Sequence, residues 1–99
     1  MEPGMVTSDE PGVYVDGEYG IRIENEIVCV RDYENEYGTF LKFKMLTCAP
    51  IDLEAVDKSY LDEKDIERIN NYHSWVYEQL SPYICGEELE KLKRATVRI

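Results

Sequence analysis

Basic residues are scarce in this chain. Eleven Lys and Arg stand against twenty-one Asp and Glu, a net charge of −10 over 99 residues. Nucleic acid is bound through clustered Lys and Arg on the phosphate backbone, so an acidic balance excludes that class of partner. The small basic groups at Lys42 and Lys44, and at Lys91, Lys93 and Arg94, read as solvated surface. No run approaches the roughly 18 apolar residues of a membrane span. Met1-Glu2-Pro3-Gly4 lacks both the charged and the apolar region of a secretory signal. Only three cysteines occur, Cys29, Cys48 and Cys85, far apart and without a CxxC pair. Neither a disulfide framework nor a zinc knuckle is built that way, and they are expected to be buried, reduced thiols. A cytoplasmic location follows from these absences. There is a single histidine, His73.

The chain suffices for one domain or for one domain's worth of a larger protein. Its apolar fraction of 43% supplies a core, although a chain this short buries only roughly 60–65% of its unfolded surface. The first half reads as β. Val13 to Val15 and Ile21 to Val30 are two extended runs separated by Asp16-Gly17-Glu18-Tyr19-Gly20, which predicts a hairpin. Period two puts Ile21, Ile23, Ile27 and Cys29 on one face and Arg22 and Glu24 on the other. Asp32 to Gly38 reads as an acidic, aromatic surface loop. Phe40 to Met45 reads as a strand with Leu41, Phe43 and Met45 buried and Lys42 and Lys44 wetted. Leu46 to Asp57 is irregular around Pro50.

The last third is helical. Asp62 is placed to cap a helix whose first turn carries Glu63 and Asp65. Ile66, Ile69, His73, Val76, Tyr77 and Leu80 recur at helical spacing along one stripe. On that stripe His73 reads as a hydrogen-bonded core residue, and Trp75 and its neighbouring tyrosines as packing. Ser81-Pro82 ends the helix. A second helix begins near Glu87 and aligns Leu89, Leu92 and Thr96.

The stretch with most chemistry lies near the start. Glu10 and Glu24 are two carboxylates on extended segments joined by a glycine-bearing turn, with Arg22 two residues before the second. Carboxylate oxygens suit hard divalent ions. Spacing alone, in a chain this rich in acids, favours chance flanking of a turn.

The surrounding residues carry a pattern. Gly4-Met5-Val6-Thr7-Ser8-Asp9-Glu10-Pro11-Gly12-Val13-Tyr14, followed by Gly20-Ile21-Arg22-Ile23-Glu24-Asn25, resembles the C-terminal part of the Xaa-Pro aminopeptidases (aminopeptidase P), members of the pita-bread metallopeptidases. Leu46-Thr47 with Pro50-Ile51-Asp52, Asn71-Tyr72-His73 and Leu80-Ser81-Pro82 resemble the helical tail of the long aminopeptidase P type. The resemblance implies an α+β chain with a partial pita-bread fold: antiparallel hairpins over 1–49, then a helical C-terminal extension over 50–99. It implies two divalent metal ions, often manganese, held by two aspartates, one histidine and two glutamates. On this chain Glu10 would bind one metal and serve as a candidate proton acceptor, Glu24 would bridge both, and Arg22 would orient the carboxylates and offset their charge. The substrates implied are peptides with proline at the second position.

The aspartates and the ligand histidine have no counterpart here, and Met1 falls inside the motif. The chain is therefore expected to be part of a longer enzyme, to hold no metal and to be inactive alone. The alternative is a non-catalytic folding or interaction module. Half of a pita-bread sheet leaves an apolar face and a strand edge uncovered, so self-association is expected.

Overall fold

The computed structural model describes all 99 residues, which form two compact units, Met1–Thr47 and Cys48–Ile99. The first is all β. Its strands are β1 (Val6–Asp9), β2 (Gly12–Val15), β3 (Tyr19–Arg22), β4 (Asn25–Asn35) and β5 (Gly38–Met45). The first, fourth and fifth form one antiparallel sheet in the order β1-β4-β5, and β2 pairs with β3 in a second. Antiparallel pairing and tight turns explain why sequential neighbours meet.

Registers from Val6↔Val28 to Asp9↔Asn25, and from Gly12↔Arg22 to Val15↔Tyr19, advance one residue on each side without a slip. Residues 6–15 and 19–28 are thus one bent ribbon whose ladder opens at a single level. Pro11 causes the opening, since it has no N–H to give. Its carbonyl still accepts from the Ile23 amide at 3.2 Å. The predicted run from Ile21 to Val30 is therefore two strands in two sheets, broken at Ile23-Glu24. Keeping step across the opening places Glu10 opposite Glu24.

The predicted loop over 32–38 is instead a hairpin. β4 continues to Asn35, and the Asn35 Oδ1 accepts from the Tyr37 amide at 2.9 Å, turning the chain at Glu36-Tyr37. Periodicity is hidden there because a bulge between Arg31 and Tyr33 shifts the register at Asp32. Asp32 ion-pairs with Lys42 at 2.7 Å, and Tyr33 stacks on Phe40 at 4.6 Å between ring centres.

Alternation is present in this unit, but burial does not follow it. Only Cys29 is buried. Leu41 and Phe43, expected inside, are exposed, as are Ile21 and Ile23, because no second layer lies over their faces within the unit.

The second unit closes its own core. After short 3-10 turns at Leu53–Ala55 and Lys58–Tyr60, α1 (Glu63–Leu80) starts on a capping box in which Asp62 and Asp65 each accept the other's backbone N–H. His73 and Val76 are buried along its stripe, and Asn70 is buried beside them. The main chain at Ser81-Pro82-Tyr83 tightens into a 3-10 turn, and α2 (Gly86–Ala95) buries Leu92. Asn70, which the apolar stripe does not include, holds Ile99 at both ends of its amide: Oδ1 accepts from the Ile99 amide at 2.9 Å and Nδ2 donates to its carbonyl at 3.3 Å. His73 Nε2 accepts from the Ile51 amide at 2.9 Å, and Tyr72 donates its hydroxyl to Ala49 O at 2.8 Å. All three thiols are free, but only Cys29 is buried; Cys85, at the exposed entry to α2, departs from the expected burial. No helix is long and apolar enough to cross a membrane.

Candidate metal centre

The ribbon's two faces divide its chemistry. From β1 into β2 the period of two aligns Ser8, Glu10, Gly12 and Tyr14; from β3 into β4 it aligns Gly20, Arg22, Glu24 and Glu26. Val13, Ile21 and Ile23 point the other way and are 64%, 58% and 52% exposed. Polar groups and apolar groups are thus sorted to opposite sides of one two-stranded element.

Two like charges directly opposite on a ribbon repel, and Arg22 relieves them. Its Nη2 lies 2.9 Å from Glu24 Oε2 and its Nη1 lies 3.6 Å from Glu10 Oε2. One guanidinium reaches both carboxylates, so Glu10, Arg22 and Glu24 stand on the same side. All three side chains are about half exposed, at 48%, 49% and 42%, so water screens these pairs strongly. Arg22 is held above its ordinary guanidinium range, first by Glu24, then by a hydrogen bond with Tyr14, with Glu10 the weakest contributor. The order follows the two distances.

Ser8 and Tyr14 complete the cluster, and sequence reasoning missed both. Ser8 donates its hydroxyl to Glu10 Oε1 at 2.9 Å. Tyr14 lies flat along the ribbon because two glycines leave room for it. A Cβ on Gly20 would come within 2.7 Å of Tyr14 Cδ1, and one on Gly12 within 2.6 Å of its hydroxyl and 2.9 Å of the Ile21 carbonyl. The ring crosses Gly20 and ends over Gly12, beside Arg22. The signal was available: both residues fall at even spacing from Glu10.

The donor set fits part of a two-metal centre. Carboxylate oxygens are the ligands a hard divalent ion takes, and here the cation they converge on is the Arg22 guanidinium. Nowhere do three or more His, Cys, Asp or Glu side chains come together as a metal site. His73 belongs to the second unit and is engaged with the Ile51 amide there. The ribbon brings two carboxylates together and no third.

Comparison with known proteins identifies the family. Residues 1–31 match the model of metallopeptidase family M24, and residues 39–99 match that of the C-terminal region of peptidase M24. A probable Xaa-Pro aminopeptidase P of Coprinopsis cinerea is 41% identical over 105 residues, covering 100% of this chain and 17% of the relative. Aminopeptidase P1 of Arabidopsis thaliana is 38% identical over 100 residues, covering 97% of this chain and 15% of its own length. Among solved structures, X-prolyl aminopeptidase from Caenorhabditis elegans, described as a cytosolic enzyme with a di-nuclear active site, superposes with a TM-score of 0.78. It is 37% identical, and the match covers 100% of this chain and 17% of that one. The chain thus spans a small fraction of the length of the proteins it matches. Its α+β architecture is that of a partial pita-bread peptidase, and the chain belongs to the M24 metallopeptidases, as a C-terminal part of the aminopeptidase P type.

Proposed function

We propose that this chain supplies the glutamate half of the two-metal site of an Xaa-Pro aminopeptidase, the enzyme that hydrolyses the bond between an N-terminal residue and a following proline. The observation that carries this reading is the convergence of Glu10 and Glu24 on Arg22 at 3.6 and 2.9 Å, inside a chain whose relatives bear that activity. Glu10 would hold one metal and is the candidate proton acceptor, Glu24 would hold both, and Arg22 would orient the pair. When bound, the metal pair, manganese in this reading, supplies an activated water and clamps the reacting oxygens. Residues 1–49 belong to the catalytic domain and 50–99 to its helical extension. The location is cytoplasmic, as described for the nematode enzyme.

Two carboxylates do not hold two divalent ions close together against the ions' repulsion, so the chain alone is inactive. Purified chain with Mn²⁺ and an Xaa-Pro peptide should give no turnover; measurable hydrolysis would overturn the incompleteness argument. A graft tests the positive half. Replacing the corresponding segment of the nematode enzyme by residues 1–99 should yield Mn²⁺-dependent hydrolysis that Glu10→Ala or Glu24→Ala abolishes. An active graft that tolerates both substitutions would refute the ligand assignment.

A second reading rests on the apolar ribbon face. Val13, Ile21 and Ile23 are more than half exposed, a surface that favours self-association. Light scattering should show dimers or larger species; a monomer at high concentration would count against it.

A further inference from the structure

We infer that Ser8 is a positioning residue for Glu10, fixing the carboxylate in the orientation in which it meets its metal. The inference rests on the ligand reading of Glu10 given above. Glu10 sits at the opening of the ribbon, between β1 and β2, where no ladder bond holds its backbone. Ser8 is two residues earlier on the same face, inside β1, and pairs with Glu26. A residue inside a paired strand therefore stands beside one at the break between two strands. Its hydroxyl donates to Glu10 Oε1 at 2.9 Å, while the Arg22 guanidinium approaches the other oxygen, Oε2, at 3.6 Å.

The two contacts differ in kind. A guanidinium at Oε2 neutralises charge, and at 3.6 Å to a half-exposed group it fixes direction poorly. A hydroxyl hydrogen bond is short and directional. Each carboxylate oxygen carries two lone pairs, so the Ser8 bond leaves Oε1 a free lone pair for a cation. A glutamate side chain is among the richest in rotamer freedom. Holding it from a neighbouring strand residue orders it before the ion arrives, which is how a supporting group tunes a metal ligand. Threonine at this position would keep the donor; alanine would remove it without disturbing the ladder.

The test uses the 99-residue chain itself. Three-bond couplings of isotopically labelled Glu10 report its side-chain rotamer directly, with no metal present. Native chain and Ser8→Thr should show one dominant rotamer; Ser8→Ala should show averaging. In a second arm, Mn²⁺ alone is titrated in, and paramagnetic broadening is followed at Glu10 and Glu24. Ser8→Ala should weaken the apparent Mn²⁺ response at Glu10 about threefold, the scale of one net hydrogen bond, while Ser8→Thr restores it. An unchanged Glu10 rotamer in Ser8→Ala would overturn the proposal. The ligand reading is judged separately by the graft: an active graft that tolerates Glu10→Ala would refute that reading, and the rotamer arm would still decide whether Ser8 orders Glu10.

Discussion

The two units of this chain use similar compositions to opposite ends. The helical unit encloses what it makes: His73 and Val76 are inaccessible, Leu92 is nearly so, and the polar groups Asn70 and His73 are bonded to the main chain of the same unit. The β unit presents what it makes. Its polar ribbon face carries a charged cluster open to solvent, and its opposite face leaves Val13, Ile21 and Ile23 exposed. A unit that buries its interaction groups is a folding element, whereas a unit that displays them is one side of a site. That contrast suits a chain spanning 17% of a relative: one unit closes on itself and the other leaves its groups on display.

The contrast is broken most severely at His73. Its Nε2 accepts from Ile51, so the ring is neutral with its proton on Nδ1, and burial holds it below the ordinary value of 6.5. Nδ1 is buried without a partner. His73→Ala leaves a cavity and an unpaired Ile51 N–H, and should cost the helical unit about 2–4 kcal/mol. Thermal melting followed by helix circular dichroism measures it. Protonation acts in the same direction. The unfolded state binds the proton more tightly than the folded one, so the contribution of His73 is complete above about pH 6.5 and declines as the pH falls below it. His73→Gln should flatten that decline. An equal decline in the substituted chain would assign it to other groups.

A smaller effect is expected on the display side. Gly20→Ala drives a Cβ to 2.7 Å of the Tyr14 ring. The ring must move off Arg22, with a loss of about 1 kcal/mol in the ribbon and a shift of the Arg22 side-chain N–H resonances. Unchanged resonances would mean that Tyr14 does not rest on the guanidinium. Of similar size is Asp62→Ala, which removes one half of a capping box and should cost about 1 kcal/mol. Its melting shift should appear in the helical signal and not in the Arg22 resonances.

Much of this was legible because local rules decide it. The Asp62 cap, the 66–80 stripe and the stop at Ser81-Pro82 depend on neighbours a few residues away, and each stands where the pattern placed it. The hairpin at Asp16-Gly17 is likewise local. The break at Ile23-Glu24 was not legible within its own run, because its cause, Pro11, lies on the opposite strand. The bulge at Asp32 hid the continuation of β4 by resetting the alternation. Whether an apolar face is covered depends on what packs over it, so the sequence of Ile21, Ile23 and Phe43 specifies a face without specifying its burial. In the cluster, Glu10, Glu24 and Arg22 were legible from the motif. Ser8 and Tyr14 share Glu10's face by period two, a signal the motif overshadowed, and Asn70 required the return of Ile99 to α1.

The most direct measurement is the manganese content of the graft described above, counted per chain after equilibration and removal of free ion. Two ions in the native graft, with Glu24→Ala losing the pair and Glu10→Ala losing at least one, is the outcome expected of carboxylates presented together from one ribbon face. Two ions retained with both glutamates replaced would contradict the account.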